Sequence, residues 1–252
     1  MKRLEEFAGI VFAAKSYFQS RLSMGETSMV LAAKPALGRA SGSAGSDGAA
    51  RRGAFTAPTG ATAAPTEALA RIEENVRACK KCPLHKTRTH TVFGTGSGRT
   101  RLVFIGEAPG RDEDLKGEPF VGRAGQLLTR IIEAIDLDRG EVYITNVIKC
   151  RPEGNRDPLP EEIELCSDYL TEQLEVLRPK VICALGRFAA QALSGLKLSM
   201  ADYRTRELSY RGTRVIATYH PAACLRNAAL KRPVWEDMQT VRDILKHTET
   251  PS

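Results

Sequence analysis

The sequence predicts an α/β protein, a three-layer αβα sandwich on a central, mainly parallel sheet. Two observations predict it. Short apolar runs that read as buried strands alternate with segments of helical periodicity. Glycine- and proline-rich loops follow the strands at residues 106–122, 146–159 and 220–227, and open α/β sheets gather ligands beyond the carboxyl ends of their strands.

The first helix is expected to start with Thr66 as its cap and to align Leu69, Ile72 and Val76 on one stripe, delivering Cys79 and Cys82 at its end. Residues 101–105 read as a strand and 106–122 as a loop. A helix over 126–135 follows, with Leu127, Leu128, Ile131, Ile132 and Ile135 turned inward. Residues 141–149 read as a second strand. Pro160 followed by Glu161 and Glu162 opens a helix that carries Cys166, because proline is tolerated in a first turn and acids suit the positive end of the dipole. A strand over 180–185, a short helix over 187–193, and two strands over 204–210 and 213–219 joined across Arg211-Gly212 come next. A helix over 233–246 ends the domain.

The chain has 252 residues, of which 42% are hydrophobic and 27% charged, as in water-soluble globular proteins, and no apolar run approaches the ~20 residues of a membrane helix. A cytoplasmic protein without membrane contact is expected. Residues 1–33 form an N-terminal extension with weak helical periodicity. Residues 34–66, dominated by Ala, Gly, Ser, Thr and Pro, read as a flexible linker, and residues 67–252 as the folded domain. Of the net charge of +7, +4 belongs to residues 1–66, so charge alone leaves nucleic-acid binding open. A recruitment role for residues 1–66 has no recognisable motif behind it.

Six cysteines are present, and they are not arranged as the short loop staples of a secreted protein. Cys79-Lys80-Lys81-Cys82 is a C-x-x-C pair, and with Cys150 and Cys166 it makes four thiolates that suit either structural zinc or an iron–sulfur cluster. On spacing the two remain open, with zinc slightly ahead. Cys183 reads as core filler. The loop after the first strand is neither G-x-G-x-x-G nor G-x-x-x-x-G-K-[ST], which disfavours a nucleotide cofactor.

Three motifs occur in order. The first is Gly106-Glu107-Ala108-Pro109-Gly110, continuing through Glu113 and Asp114 to Pro119-Phe120-Val121-Gly122 and Ala124-Gly125-Gln126-Leu127-Leu128. The second is Tyr143-Ile144-Thr145-Asn146-Val147-Ile148-Lys149-Cys150-Arg151-Pro152, and the third is His220-Pro221-Ala222-Ala223-Cys224-Leu225-Arg226. Together they resemble the family 4 uracil-DNA glycosylases, over roughly residues 69–246.

The resemblance implies a uracil-DNA glycosylase fold and a hydrolase that releases uracil from DNA and leaves an abasic site, initiating base excision repair. It implies a [4Fe-4S] cluster on Cys79, Cys82, Cys150 and Cys166, in a monomer acting on single- or double-stranded uracil-containing DNA. It places Glu107, Ala108, Phe120, Asn146 and His220 around the base. Phe120 stacks on it, the Asn146 amide meets the O4/N3–H edge, and His220 donates to O2 as charge collects there. In the broader superfamily an aspartate stands where this chain has Ala108, so the carboxylate that assists water falls to Glu107 or Glu113. Leu225 and Arg226 are the expected wedge and phosphate contact, with Cys224 departing from the usual leucines. Lys149, Arg151 and Arg156 are further expected phosphate contacts. The alternative is a relative that captures uracil-DNA without turnover. One such branch uses a histidine in the loop after the Asn-bearing strand, and residues 151–159 contain none.

Overall fold

The structure, a computed structural model, describes residues 65–247. The expectations for residues 1–33, and for 34–66 up to its last two residues, lie outside the described residues.

The sheet has six strands: β1 (Thr95–Gly96), β2 (Leu102–Gly106), β3 (Tyr143–Asn146), β4 (Val181–Leu185), β5 (Leu208–Tyr210) and β6 (Thr213–Thr218), in the order β1-β3-β2-β4-β6-β5. The four central strands are parallel, with Val103 opposite Tyr143 and Ile182 and with Ile182 opposite Val215. An antiparallel strand closes each edge. Every residue of β2, β3 and β4 is buried, as strands covered on both faces must be.

The helices are α1 (Pro65–Ala78), α2 (Arg111–Lys116), α3 (Arg123–Glu133), α4 (Pro160–Leu177), α5 (Arg187–Ser194), α6 (Met200–Thr205), α7 (Pro221–Arg226) and α8 (Lys231–His247). Val103 and Ile105, Ile182 and Ala184, and Val215 and Ala217 project from one face of the sheet into a core shared with Ile72, Val76, Leu170, Leu174 and Ala189. Alternate residues Leu102, Phe104, Ile144 and Cys183 are equally buried, and α8 packs on β4 and β6. Two helical layers around one sheet are the expected sandwich. After β2 the chain moves to β3 on one side, then crosses to β4 on the other. This places a topological switch point at the carboxyl end of β2, beside Gly106.

Several boundaries differ from expectation. Helix α1 begins at Pro65, so Thr66 sits in its first turn and does not cap it. The 106–122 loop contains α2, whose N-terminus is held by Glu113, the Oε2 of which accepts from Gly110 N at 3.2 Å. Helix α3 starts earlier than residue 126. Strand β3 stops at Asn146, where its partner β2 also ends; beyond it Val147 N donates to Gly106 O at 2.9 Å and Ile148 N to Glu107 O at 3.2 Å. Residues 204–210 are not one strand. Ser199 Oγ accepts from Asp202 N at 3.2 Å and starts α6, leaving only Leu208–Tyr210 extended. The hairpin across Arg211-Gly212 is present, both residues taking the positive φ (47° and 84°) that a two-residue turn requires.

Candidate active site

The three loops expected to converge do so, around a cleft at the carboxyl ends of β2, β3 and β6. Its lining includes Glu107, Ala108, Phe120, Asn146, His220 and Arg226. Their positions follow from the backbone. Gly106 ends β2 where an added Cβ would lie 2.3 Å from Asn146 Oδ1 and 2.6 Å from Phe120 Cζ, so only a hydrogen there lets both side chains reach the cleft. Phe120 takes φ 55°, uncommon for an aromatic residue. It is held by α3, since a Cβ on Gly125 would meet Phe120 O at 1.7 Å. Arg139 Nη2 donates to Pro119 O at 2.7 Å, and Glu113 Oε1 accepts from Val121 N and Gly122 N at 3.0 Å each, which completes the bracing of this loop.

His220 caps α7. Its Nδ1 accepts from Ala222 N at 3.1 Å, so the neutral ring carries its proton on Nε2. Burial, with the charge of Arg226 second, pulls the imidazolium down to about 4, and the ring is a neutral donor at physiological pH. The His220 ring centroid lies 5.5 Å from that of Phe120. Asn146 is 1% exposed. Among the described residues, its Oδ1 is the buried side-chain oxygen left without a hydrogen-bond partner. An orphaned buried acceptor costs about 1–3 kcal/mol and is retained where a ligand satisfies it. Glu107 is half-buried. Its carboxyl is pushed up to about 7, first by burial and then by Asp157, with Arg187 opposing.

A second, small cavity is lined by Cys79, Cys82, Cys150 and Cys166 among others. The four thiols come from the end of α1, the turn after it, the segment after β3 and the middle of α4. Donors point at the sulfurs: Arg88 Nη1 to Cys150 Sγ at 3.1 Å and Lys81 N to Cys79 Sγ at 3.5 Å. The set fits a thiolate-bound metal centre, which needs anionic sulfur supported by hydrogen-bond donors. Cys183 is buried in β4 and Cys224 in α7, both away from this set.

The cations divide. Arg226 is exposed at the cleft. Arg156, also exposed, is engaged by Glu162 at 2.9 and 2.6 Å. Arg151 Nε donates to Asn155 Oδ1 at 2.7 Å. Lys149 does not contact phosphate: it is 1% exposed and its Nζ bonds Thr145 Oγ1, Asn146 O and Gln173 Oε1. A lysine in the apolar run Val147-Ile148-Lys149-Cys150 was the signal that it is buried. Sequence reasoning also missed Arg88, Asp157 and Arg187, which act on the cysteines and on Glu107 across distant parts of the chain.

Residues 93–239 match the Uracil DNA glycosylase superfamily. Over 186 residues the chain is 50% identical to the type-4 uracil-DNA glycosylase of Archaeoglobus fulgidus, covering 71% of this chain and 94% of that protein. The chain belongs to the type-4 uracil-DNA glycosylase family. The corresponding Thermotoga maritima protein is 44% identical over 69% of this chain and 93% of its own length. The type-5 uracil-DNA glycosylase of Thermus thermophilus is 31% identical over 51% of this chain and 68% of its own length. Among the described residues no helix is long and apolar enough to cross a membrane.

Proposed function

We propose that this member of the family is a uracil-DNA glycosylase that draws deoxyuridine out of single- or double-stranded DNA and hydrolyses its N-glycosidic bond. The carrying observation is the unpartnered Oδ1 of Asn146, buried in a cleft beside an aromatic ring and a neutral histidine donor. Uracil N3–H supplies what that oxygen lacks, whereas N3 of cytosine is an acceptor and repels it. Phe120 stacks on the extruded base.

As the glycosidic bond breaks, its electron pair leaves with the base and negative charge collects on O2, where His220 Nε2–H donates. A water then attacks the cationic sugar carbon and loses a proton. Glu107 stands closest in character to the required base, being a half-buried carboxyl held near neutrality. Glu113 is better read as a loop clamp, because its two oxygens already accept three backbone amides. Ala108 lines the cleft without chemistry of its own. Cys224 is turned inward at 2% exposure, which leaves Leu225, 41% exposed, as the wedge and Arg226 as a phosphate contact.

Cys79, Cys82, Cys150 and Cys166 hold a [4Fe-4S] cluster, which supplies a cross-link and fixed charge, since hydrolysis transfers no net electrons. The family resemblance favours it over zinc.

The test is single-turnover excision from a uracil-containing oligonucleotide, with His220→Ala as control. The wild type should release free uracil and leave alkali-labile sites, and the variant should be about a hundred- to thousandfold slower. If neither releases uracil, the proposal fails.

A further inference from the structure

Lys149 lies between the two cavities. It lines the cysteine cavity, and its Nζ bonds Asn146 O and Thr145 Oγ1 at 2.7 Å each and Gln173 Oε1 at 2.6 Å. All three oxygens accept. The Thr145 hydroxyl spends its proton on Phe93 O at 2.7 Å, and the Gln173 amide is oriented by Nε2 donation to Phe93 O and Tyr143 Oη at 3.1 Å each. Three acceptors match the three N–H bonds of an ammonium, so the site is built to hold one. No carboxylate is among its hydrogen-bond partners. Beside it in the same cavity lie Cys150 and Cys166, which are anionic when they ligate a metal. A buried charge needs such a counterpart.

We propose that Lys149 is a positioning residue for uracil recognition, binding the Asn146 main chain to the cysteine centre and so keeping the Asn146 side chain aimed into the cleft. The proposal rests on reading Asn146 as the uracil contact and the four cysteines as metal ligands. Strand β3 ends at Asn146, and the chain reaches Cys150 only four residues later. Between them the polypeptide must leave the sheet without losing the aim of Asn146. The Lys149 ammonium grips Asn146 O from the far side, with Thr145 and Gln173 fixing where it sits.

The experiment uses the full-length, metal-loaded protein in four forms: wild type, Lys149→Met, Asn146→Ala and the double variant. Each is titrated with a duplex carrying 2′-fluoro-deoxyuridine, which resists cleavage, and with the same duplex carrying thymidine. Iron content and visible absorbance are recorded alongside. Lys149→Met should keep its iron and lose about tenfold in uracil preference, the loss expected for one misaligned buried hydrogen bond. In the Asn146→Ala background it should add no more than about twofold, because both changes remove one interaction. Full uracil preference in iron-loaded Lys149→Met, or losses that multiply in the double variant, would overturn the proposal. Should Lys149→Met shed its iron, Thr145→Val decides, since it removes one acceptor and leaves the cation and cysteines in place. A loss of about threefold that vanishes in the Asn146→Ala background supports the proposal, and unchanged preference overturns it. A wild type that does not prefer the fluorinated uracil duplex defeats the uracil reading itself.

Discussion

At the scale of single residues the site works by setting two ionisable groups apart. His220 is pulled down to about 4 and Glu107 pushed up to about 7, so between those values the histidine is neutral and the carboxyl protonated. A carboxylate that assists water must be ionised. Single-turnover excision is therefore expected to rise with pH through about 7 and level off above it, and Glu107→Gln should abolish that inflection. A flat profile for the wild type between about pH 6 and 8 would remove Glu107 from the chemistry. The same shift has a stability consequence. The folded-state value lies above the unfolded one, so the folded state binds the proton more tightly and loses stability as pH rises through this interval. Glu107→Gln should accordingly raise Tm relative to wild type, and by more at about pH 8 than at about pH 4. That Asn146, Phe120 and His220 meet in one cleft was legible from the motifs, because the loops that carry them follow parallel strands. Lys149 was not: a lysine in a loop reads as a surface charge until three distant oxygens are found around it.

At the scale of elements, the site depends on two close approaches that glycine permits. A methyl on Gly125 would overlap Phe120 O in the backbone of the preceding turn, and α3 cannot retreat without exposing Leu127, Leu128 and Ile131. Gly125→Ala is expected to displace Phe120 and reduce uracil excision at least about tenfold while the sheet still folds. Circular dichroism paired with excision kinetics checks both halves. Behind the His220 loop, Asp237 on α8 accepts from Arg204 at 2.7 and 3.0 Å and from Thr218 at 2.6 Å, tying α6, β6 and α8 together. Asp237→Ala leaves the half-buried Arg204 with Pro233 O at 3.0 Å and the more exposed Glu236 at 3.7 Å, and should cost about 2–3 kcal/mol in denaturant unfolding. The parallel strands and α4 could be read in advance because apolar runs and the Pro160-Glu161-Glu162 start are local signals. Helix α6 and the end of β3 could not, since a serine cap decides the one and the length of the partner strand β2 the other. Helix α2 hides in a glycine- and acid-rich stretch whose helical content depends on Glu113 bonding the loop that follows.

At the scale of the molecule, the four cysteines join segments that β-sheet pairing does not: the end of α1, the exit of β3 and the middle of α4. Helices α1 and α4 already pack on each other, so the proposed metal centre would secure an existing contact and fix the chain between Asn146 and Cys150. Burial pushes the Cys150 thiol up to about 11, with Arg88 opposing, so in the metal-free protein this thiol is neutral at physiological pH. Metal binding must displace that proton, and protons compete more strongly as pH falls. Stripping the centre with chelator and oxidant should therefore proceed faster at about pH 5.5 than at about pH 8, and the stripped protein should melt at least about 10 °C lower. The loss should reach the active site as well, because Lys149 would keep its place beside Asn146 but lose its counter-charge. Uracil affinity should fall with the visible absorbance near ~400 nm and not with global unfolding, provided the measurement is made well below the lowered Tm. An unchanged Tm after complete iron loss, or uracil affinity that tracks unfolding alone, would separate the cysteine centre from both the stability and the aim of the site.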